Sequence, residues 1–293
     1  MSLDLKPDGY LGHSSGEVLC GYADGTFTQE EALLFQHFRG KAFLSAISSS
    51  ESPGAMAAVG LSREEMTPKL PPNVYVACNN SASNVTISGE SSALRKIVKE
   101  LQAQEIFAKE VNSCNVAAHT SYLEAAKQPF IDYLKDIYPE KKPRSSRWIS
   151  SSVPESEWDG SLAQTNSIEY FLNNYRSPVL FHEACQHIPK GAAVIEVAPK
   201  GLFQAILKST LGPEDFVVAP MTSRENMDRL AHFLGSLGKI YNAGVDINLS
   251  SLYPSFSLPV TRPNPNLGNL VRWDHERSWQ IPVLDNMMVN FQM

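Results

Sequence analysis

The pentapeptide Gly12-His13-Ser14-Ser15-Gly16 fits the pattern G-x-S-x-G. Small neighbours let a strand turn sharply into a helix and present a serine hydroxyl, the display that acyl-transferring serines need. The backbone N–H of Ser15 then lies at a helix N-terminus, where partial positive charge suits an oxyanion. Such a serine needs a base, and seven histidines compete for the role. His13 adjoins the serine, but its side chain should point away and pack. His37, His182, His187 and His232 fall in helical segments, where histidines usually serve surface or packing roles, and His275 lies in the C-terminal tail. His119 closes Val116-Ala117-Ala118 at a junction between a loop and a helix, a place where catalytic groups concentrate. Arg39 is an ordinary surface charge if its helix face is solvated. Its neighbours Leu34, Phe35, Phe38 and Phe43 are apolar, however, and a guanidinium buried among them would need an anion. A planar fork suits a carboxylate, and that carboxylate could belong to a substrate.

The elements that must hold these groups can be read from periodicity. Tyr10-Leu11 carries the strand signal before the serine, and helix follows to about Gly21. Thr28 with Glu31 three positions later forms a capping box, opening a helix whose apolar positions are Leu33, Leu34, Phe38, Ala42 and Phe43. Between residues 54 and 111 four strands are expected, at 55–59, 73–78, 84–87 and 106–111. A short helix near Glu64 and Glu65 separates the first two, and a helix bearing Leu94, Ile97, Val98 and Leu101 separates the last two. This β-α-β-β-α-β order is that of a ferredoxin-like unit, set as an insertion within α/β elements. After it, the pattern predicts a helix over 120–138, a strand over 147–150, helix over 167–188 interrupted near Pro178, and buried strands at 193–197 and 216–219. Helices are expected over 202–211 and 225–243. Strands alternating with helices point to a mostly parallel sheet.

Composition narrows the function classes. The 293 residues include 31 acidic and 25 basic side chains, a net charge of −6, so no broad basic field invites nucleic acid. At 43% hydrophobic and 19% charged, the chain is globular and not disordered. Cys20, Cys78, Cys114 and Cys185 are widely spaced with no C-x-x-C pair, which argues against a structural zinc site or a disulfide scaffold. No apolar run approaches the roughly 20 residues of a membrane helix, and the first residues lack a signal peptide's pattern. The expectation is a soluble, cytoplasmic enzyme with no metal, no nucleic-acid partner and no membrane contact.

Several blocks together resemble the malonyl/acetyltransferase domain of animal type I fatty acid synthase. They are Gly12-His-Ser-Ser-Gly-Glu17, Gly21-Tyr-Ala-Asp-Gly25, Gly54-Ala-Met-Ala-Ala-Val-Gly-Leu-Ser62, Val85-Thr-Ile-Ser-Gly89, Phe107-Ala-Lys-Glu-Val111, Ser177-Pro-Val-Leu-Phe181 and Arg272-Trp-Asp-His275, spread over residues 8–282. The resemblance implies an α/β fold. An α/β-hydrolase-like parallel-sheet subdomain would comprise 1–53 and 114–250, a ferredoxin-like α+β subdomain would be inserted over 54–113, and a linker would follow over 251–293. It implies Ser14 as acyl nucleophile, His119 as its base, Arg39 as clamp on the malonyl carboxylate, and Asn174 as the source of a backbone carbonyl that orients the histidine. Ser15 and Ala118 would complete the substrate site. The implied reaction is ping-pong transfer of malonyl or acetyl from CoA to the phosphopantetheine thiol of an acyl carrier protein, with no tightly bound cofactor. Ketosynthase and the other domains of a fatty acid synthase are the implied neighbours.

Two departures from the family pattern carry consequences. Only 13 residues precede Ser14, where the family has a longer segment that supplies a second oxyanion amide, so the expectation is a truncated chain. Malonyl-using relatives usually carry phenylalanine before the catalytic histidine, whereas this chain has Ala118, which would leave room for the α-methyl group of methylmalonyl. The alternatives are a serine hydrolase or thioesterase, and a non-catalytic fragment that docks in a multienzyme.

Overall fold

The computed structural model describes residues 3–49, 52–138, 140–212, 216–223 and 228–253, together with Asp274 and Glu276. The linker expected over 251–293, including Trp273 and His275, therefore lies almost wholly outside the described residues. Residues 4–247 form one compact unit; a second unit contributes the described residues 3, 248–253, 274 and 276, with a 3-10 turn at Leu249–Leu252.

The first unit opens with strand β1 (Tyr10–Leu11), which runs through the serine turn into helix α1 (Gly16–Ala23). Helix α2 (Gln29–Ser49) follows, and its start is fixed as the sequence predicts. The Thr28 N–H donates to Glu31 Oε2 at 2.7 Å, and the Glu31 N–H donates to Thr28 Oγ1 at 3.1 Å. Its buried stripe differs from the expected one. Ala32, Phe35, Arg39 and Ala42 face inward, while Leu33 and Leu34 are 64% and 42% exposed. The large ring of Phe35 decides the rotation, since it packs against Phe27, Phe130 and Phe171 at centroid distances of 4.6–5.5 Å.

Strands β2 (Gly54–Val59), β3 (Val74–Ser81), β4 (Asn84–Glu90) and β5 (Ala108–Val111), with helices α3 (Arg63–Met66) and α4 (Ser91–Ala103), form the ferredoxin-like subdomain. The sheet order β5-β2-β4-β3 is antiparallel throughout. Apolar residues alternate along the strands, and those facing α4 close a core of Ala57, Val59, Val85 and Ile87 against Leu94, Ile97 and Leu101.

Beyond it the expected helix over 120–138 is divided. A 3-10 turn covers Ser121–Ala126 and α5 covers Lys127–Leu134. Pro129 has no N–H to donate and its ring crowds the carbonyl four residues back, so it is accommodated only in the first turn of a new helix. The chain continues through β6 (Lys142–Pro143), β7 (Trp148–Ile149), α6 (Ser161–Gln164), β8 (Thr165–Asn166) and α7 (Ile168–Arg176). The break near Pro178 contains strand β9 (Val179–Leu180), which the sequence did not announce. It extends the ferredoxin-like sheet by pairing parallel to β3, with Cys78 opposite Val179. Helix α8 (Phe181–Cys185), β10 (Ala193–Glu196), α9 (Gln204–Leu211), β11 (Val217–Pro220) and α10 (Arg229–Asn242) complete the unit.

Among the described residues, parallel pairing occurs in three short pieces, β1 with β7, β3 with β9 and β10 with β11, while the largest sheet is mainly antiparallel. Strands β10 and β11 are only partly buried, and Val197 just after β10 is 69% exposed.

Candidate active site

The serine turn is built as a strained elbow. Ser14 adopts φ 54°, a left-handed conformation that a side-chain-bearing residue rarely takes without constraint. Gly12 makes the turn possible, because a Cβ there would lie 2.4 Å from the backbone nitrogen of Glu17. The amides of Gly16, Glu17 and Val18 bond back to the carbonyls of His13, Ser14 and Ser15. The Ser15 amide takes part in none of these bonds and sits at the N-terminus of α1, where developing negative charge is favoured. Gln36 Nε2 holds the Ser15 carbonyl at 2.7 Å.

Fold topology brings His119, 105 residues away in sequence, to Ser14, with Nε2 2.6 Å from Oγ. His119 is itself in the left-handed region (φ 62°), and its backbone N–H donates to the Tyr175 carbonyl at 2.9 Å. Its Nδ1 faces two carbonyls, Asn174 O at 2.9 Å and Ser177 O at 3.1 Å. Two acceptors require the proton on Nδ1, which leaves the Nε2 lone pair directed at the serine hydroxyl. Burial pushes the His119 pKa down to about 3, and the positive charge of Arg39 and the neighbouring His13 act in the same direction. The ring is therefore neutral near pH 7 and able to accept a proton.

Arg39, on α2, is 8% exposed and points Nη2 at Ser14 Oγ, 3.5 Å away. Its guanidinium lies 5.1 Å from the centroid of the Phe43 ring. The buried Nε has no hydrogen-bond partner, and no described carboxylate lies within ion-pair distance. Burial lowers its pKa to about 10, so it stays charged at neutral pH. A buried cation with no anion beside it among the described residues is costly unless one joins it, and a carboxylate fits its planar fork.

Other expected positions fall as follows. His13 packs against the rings of Phe181 and Phe203 and also bonds through Nε2 to Asn80 Oδ1 at 2.9 Å. Ala118 is half-buried against the core, next in the chain to His119. Among the described residues, His37, His182, His187 and His232 make no bond to Ser14. His37 meets Phe38, His182 bonds Thr210, His187 pairs with Glu155, and His232 bonds the Pro220 carbonyl. His275 lies outside the described residues.

Sequence reasoning missed a polar group beneath the elbow. Glu17 is fully buried in the first turn of α1 and accepts from Trp148 Nε1 (2.6 Å), the Ser151 N–H (2.7 Å) and Tyr170 OH (2.8 Å). Arg144 stacks on the Trp148 and Tyr170 rings beside it, 3.9 and 4.5 Å from their centroids. Ser151 Oγ lies 2.6 Å from the Gly12 carbonyl and 2.8 Å from Glu17 Oε1. An acidic residue early in a helix is commonplace, so its type alone gave no signal that it is buried.

A serine hydroxyl, a neutral imidazole held by carbonyls and a buried guanidinium with no described carboxylate beside it form an arrangement suited to covalent acyl transfer. Comparison with known proteins agrees. In the highly reducing polyketide synthase sphB of Aspergillus fumigatus, a region 29% identical is matched by 95% of this chain but makes up 11% of that protein. The low-reducing polyketide synthase drtA of Aspergillus calidoustus is 31% identical over 92% of the chain and 12% of its own length. The chain thus spans about a tenth of the length of the curated relatives it matches. These relatives are polyketide synthases, so they do not single out the animal fatty acid synthases suggested by the sequence blocks. Among solved structures, the acyltransferase domain from the second module of the salinomycin polyketide synthase superposes with a TM-score of 0.72 at 22% identity, covering 90% of this chain and 61% of that one. The malonyl CoA-acyl carrier protein transacylase of Clostridium perfringens gives 0.61 at 21% identity, covering 82% and 74%. Both likenesses are of fold, an α/β acyltransferase fold. With the sequence profile of the acyl transferase domain matching residues 2–247, the chain belongs to the acyl transferase domain family.

Proposed function

We propose that this chain transfers malonyl groups, and acetyl groups less selectively, from CoA to an acyl carrier protein through an acyl ester on Ser14. The observation that carries the reading is the 2.6 Å contact from Ser14 Oγ to His119 Nε2 beside a buried guanidinium with no described carboxylate within ion-pair distance. Ser14 Oγ attacks the thioester carbonyl as its proton passes to His119 Nε2, and the Ser15 amide faces the oxyanion. Collapse breaks the C–S bond, and the proton moves from His119 to the departing CoA sulfur. The phosphopantetheine thiol then enters, gives its proton to His119 and takes the acyl group, restoring the serine hydroxyl. Arg39 pairs with the free carboxylate of malonyl and Asn174 contributes the carbonyl that keeps the ring aligned. Ala118 leaves space beside the acyl group, which favours admission of methylmalonyl. The division into 1–53 with 114–250, 54–113 and 251–293 is part of the same reading.

The setting we infer is a multidomain synthase that builds carbon chains, in which a ketosynthase consumes the loaded carrier. The sequence blocks favour fatty acid synthesis, and the fungal relatives favour a polyketide pathway. Arg39 weighs against a hydrolase of neutral acyl chains, which has no use for a carboxylate clamp.

The test is intact mass spectrometry after brief exposure to malonyl-CoA or acetyl-CoA. Wild type should gain one acyl group and Ser14→Ala none. Arg39→Ala should lose malonylation by about 10–100-fold while keeping acetylation, the loss expected for one charged hydrogen-bonding partner. A folded wild type that acquires no adduct would refute the catalytic reading in favour of a docking role, and rapid hydrolysis of the adduct would favour a thioesterase.

A further inference from the structure

Asn174 touches both members of the reacting pair. Its backbone carbonyl accepts from His119 Nδ1 at 2.9 Å, the contact the resemblance implies. Its side chain does something separate. Nδ2 donates to the backbone carbonyl of Ser14 at 3.1 Å and to Ser152 Oγ at 2.8 Å. Asn174 is 2% exposed and lies near the end of α7, so its side chain is held on a rigid element. Ser152 follows β7 and is anchored in turn, its N–H donating to Ser150 Oγ at 3.1 Å and its carbonyl accepting from Asn173 Nδ2 at 2.6 Å.

We propose that the Asn174 side-chain amide is a positioning group for the nucleophile, pinning the strained Ser14 peptide so that Oγ stays in line with His119. The inference rests on the acyl-Ser14 reading above. Its physical basis is the left-handed Ser14 backbone, which relaxes unless neighbours hold it. The carbonyls flanking His13 are both held: Ser151 Oγ lies against Gly12 O, and Asn174 Nδ2 donates to Ser14 O. Release of the second would leave the Ser14 carbonyl held only by the Glu17 N–H, at 3.2 Å, loosening the Ser14 peptide and letting Cβ and Oγ shift away from a base whose own position is unchanged. A displacement of about 1 Å at a reacting atom costs on the order of a hundredfold in rate. Because the histidine contact uses backbone and the serine contact uses side chain, substitution separates the two roles.

The experiment compares wild type, Asn174→Ala and Asn174→Asp by rapid-quench mass spectrometry of acyl-Ser14 over a range of malonyl-CoA concentrations. Labelling of Ser14 by a fluorophosphonate, which needs the serine and its base but no acyl donor, runs in parallel. The alanine variant should lose about 10–100-fold in maximal acylation rate and in labelling rate, with half-saturation within about twofold. The aspartate variant is isosteric but sets an acceptor against the Ser14 carbonyl, so it should be slower than alanine. Should the asparagine variants misfold, Ser152→Ala removes the amide's other anchor and should lower both rates by a smaller factor. An alanine variant that acylates and labels at the wild-type rate overturns the proposal, as does a parallel change in maximal rate and half-saturation. If wild type labels with fluorophosphonate but takes no malonyl, the functional reading fails, while the labelling ratio still decides the role of Asn174.

Discussion

The rate of Ser14 acylation should be nearly independent of pH between 5 and 8, in contrast to serine enzymes whose histidine titrates near its ordinary value. The perturbation is pH itself, with Arg39→Gln as the second arm. At pH 5 a ring with a pKa of about 3 is about 99% neutral, while one at 6.5 is about 3% neutral, roughly a thirtyfold difference in competent base. The cause is chiefly burial, followed by the Arg39 cation and His13, with the carbonyls of Asn174 and Ser177 opposing them. Removing the positive charge of Arg39 makes protonation easier, so the acid limb should move to higher pH in Arg39→Gln. Malonyl binding acts with the same sign, since its carboxylate offsets the cation and makes His119 a stronger base. Acetyl-pantetheine is the suitable donor, because it has no phosphate to titrate and no carboxylate to engage Arg39. Stopped-flow thiol release gives the rate with limiting donor, which reports ionisations of the free enzyme. A fall of tenfold or more from pH 7 to pH 5 in wild type would refute the reasoning, as would an acid limb in Arg39→Gln that moves down.

Two further outcomes follow from the site. Ala118→Phe should raise the malonyl to methylmalonyl rate ratio by about 10-fold or more, in keeping with the 1–3 kcal/mol that one methyl group is worth in a pocket; competition between the two CoA esters measures it, and an unchanged ratio would exclude a role for that position. Glu17→Ala should cost about 3–5 kcal/mol of stability, because it strands the donors of Trp148, Ser151 and Tyr170 beside a buried Arg144. Urea unfolding would measure the loss, and a midpoint equal to wild type would show that the carboxylate holds nothing together.

The parts legible in the sequence are those governed by neighbours a few residues apart. G-x-S-x-G specifies a turn because Gly12 must lie against the Glu17 backbone, a contact within one element junction. The Thr28–Glu31 capping box closes over three residues, and the strands around α4 show their alternation directly. Ser14 and Arg39 stand out on such local grounds, and His119 stands out among the seven histidines by its place at a loop-to-helix junction, while its role as the base is what the family resemblance implies. Local pattern failed where a distant partner decided the outcome. Which face of α2 turned inward was settled by Phe35 meeting Phe130 and Phe171, so Leu33 and Leu34 stayed outside. The buried state of Glu17 depends on donors 131, 134 and 153 residues away. The 2.6 Å approach of His119 to Ser14 spans 105 residues, and the Asn174 amide reaches Ser14 across 160. Residue types and short-range spacing thus determined which groups could react, whereas their alignment and protonation were decided by tertiary packing, because distance and desolvation exist only once remote segments meet.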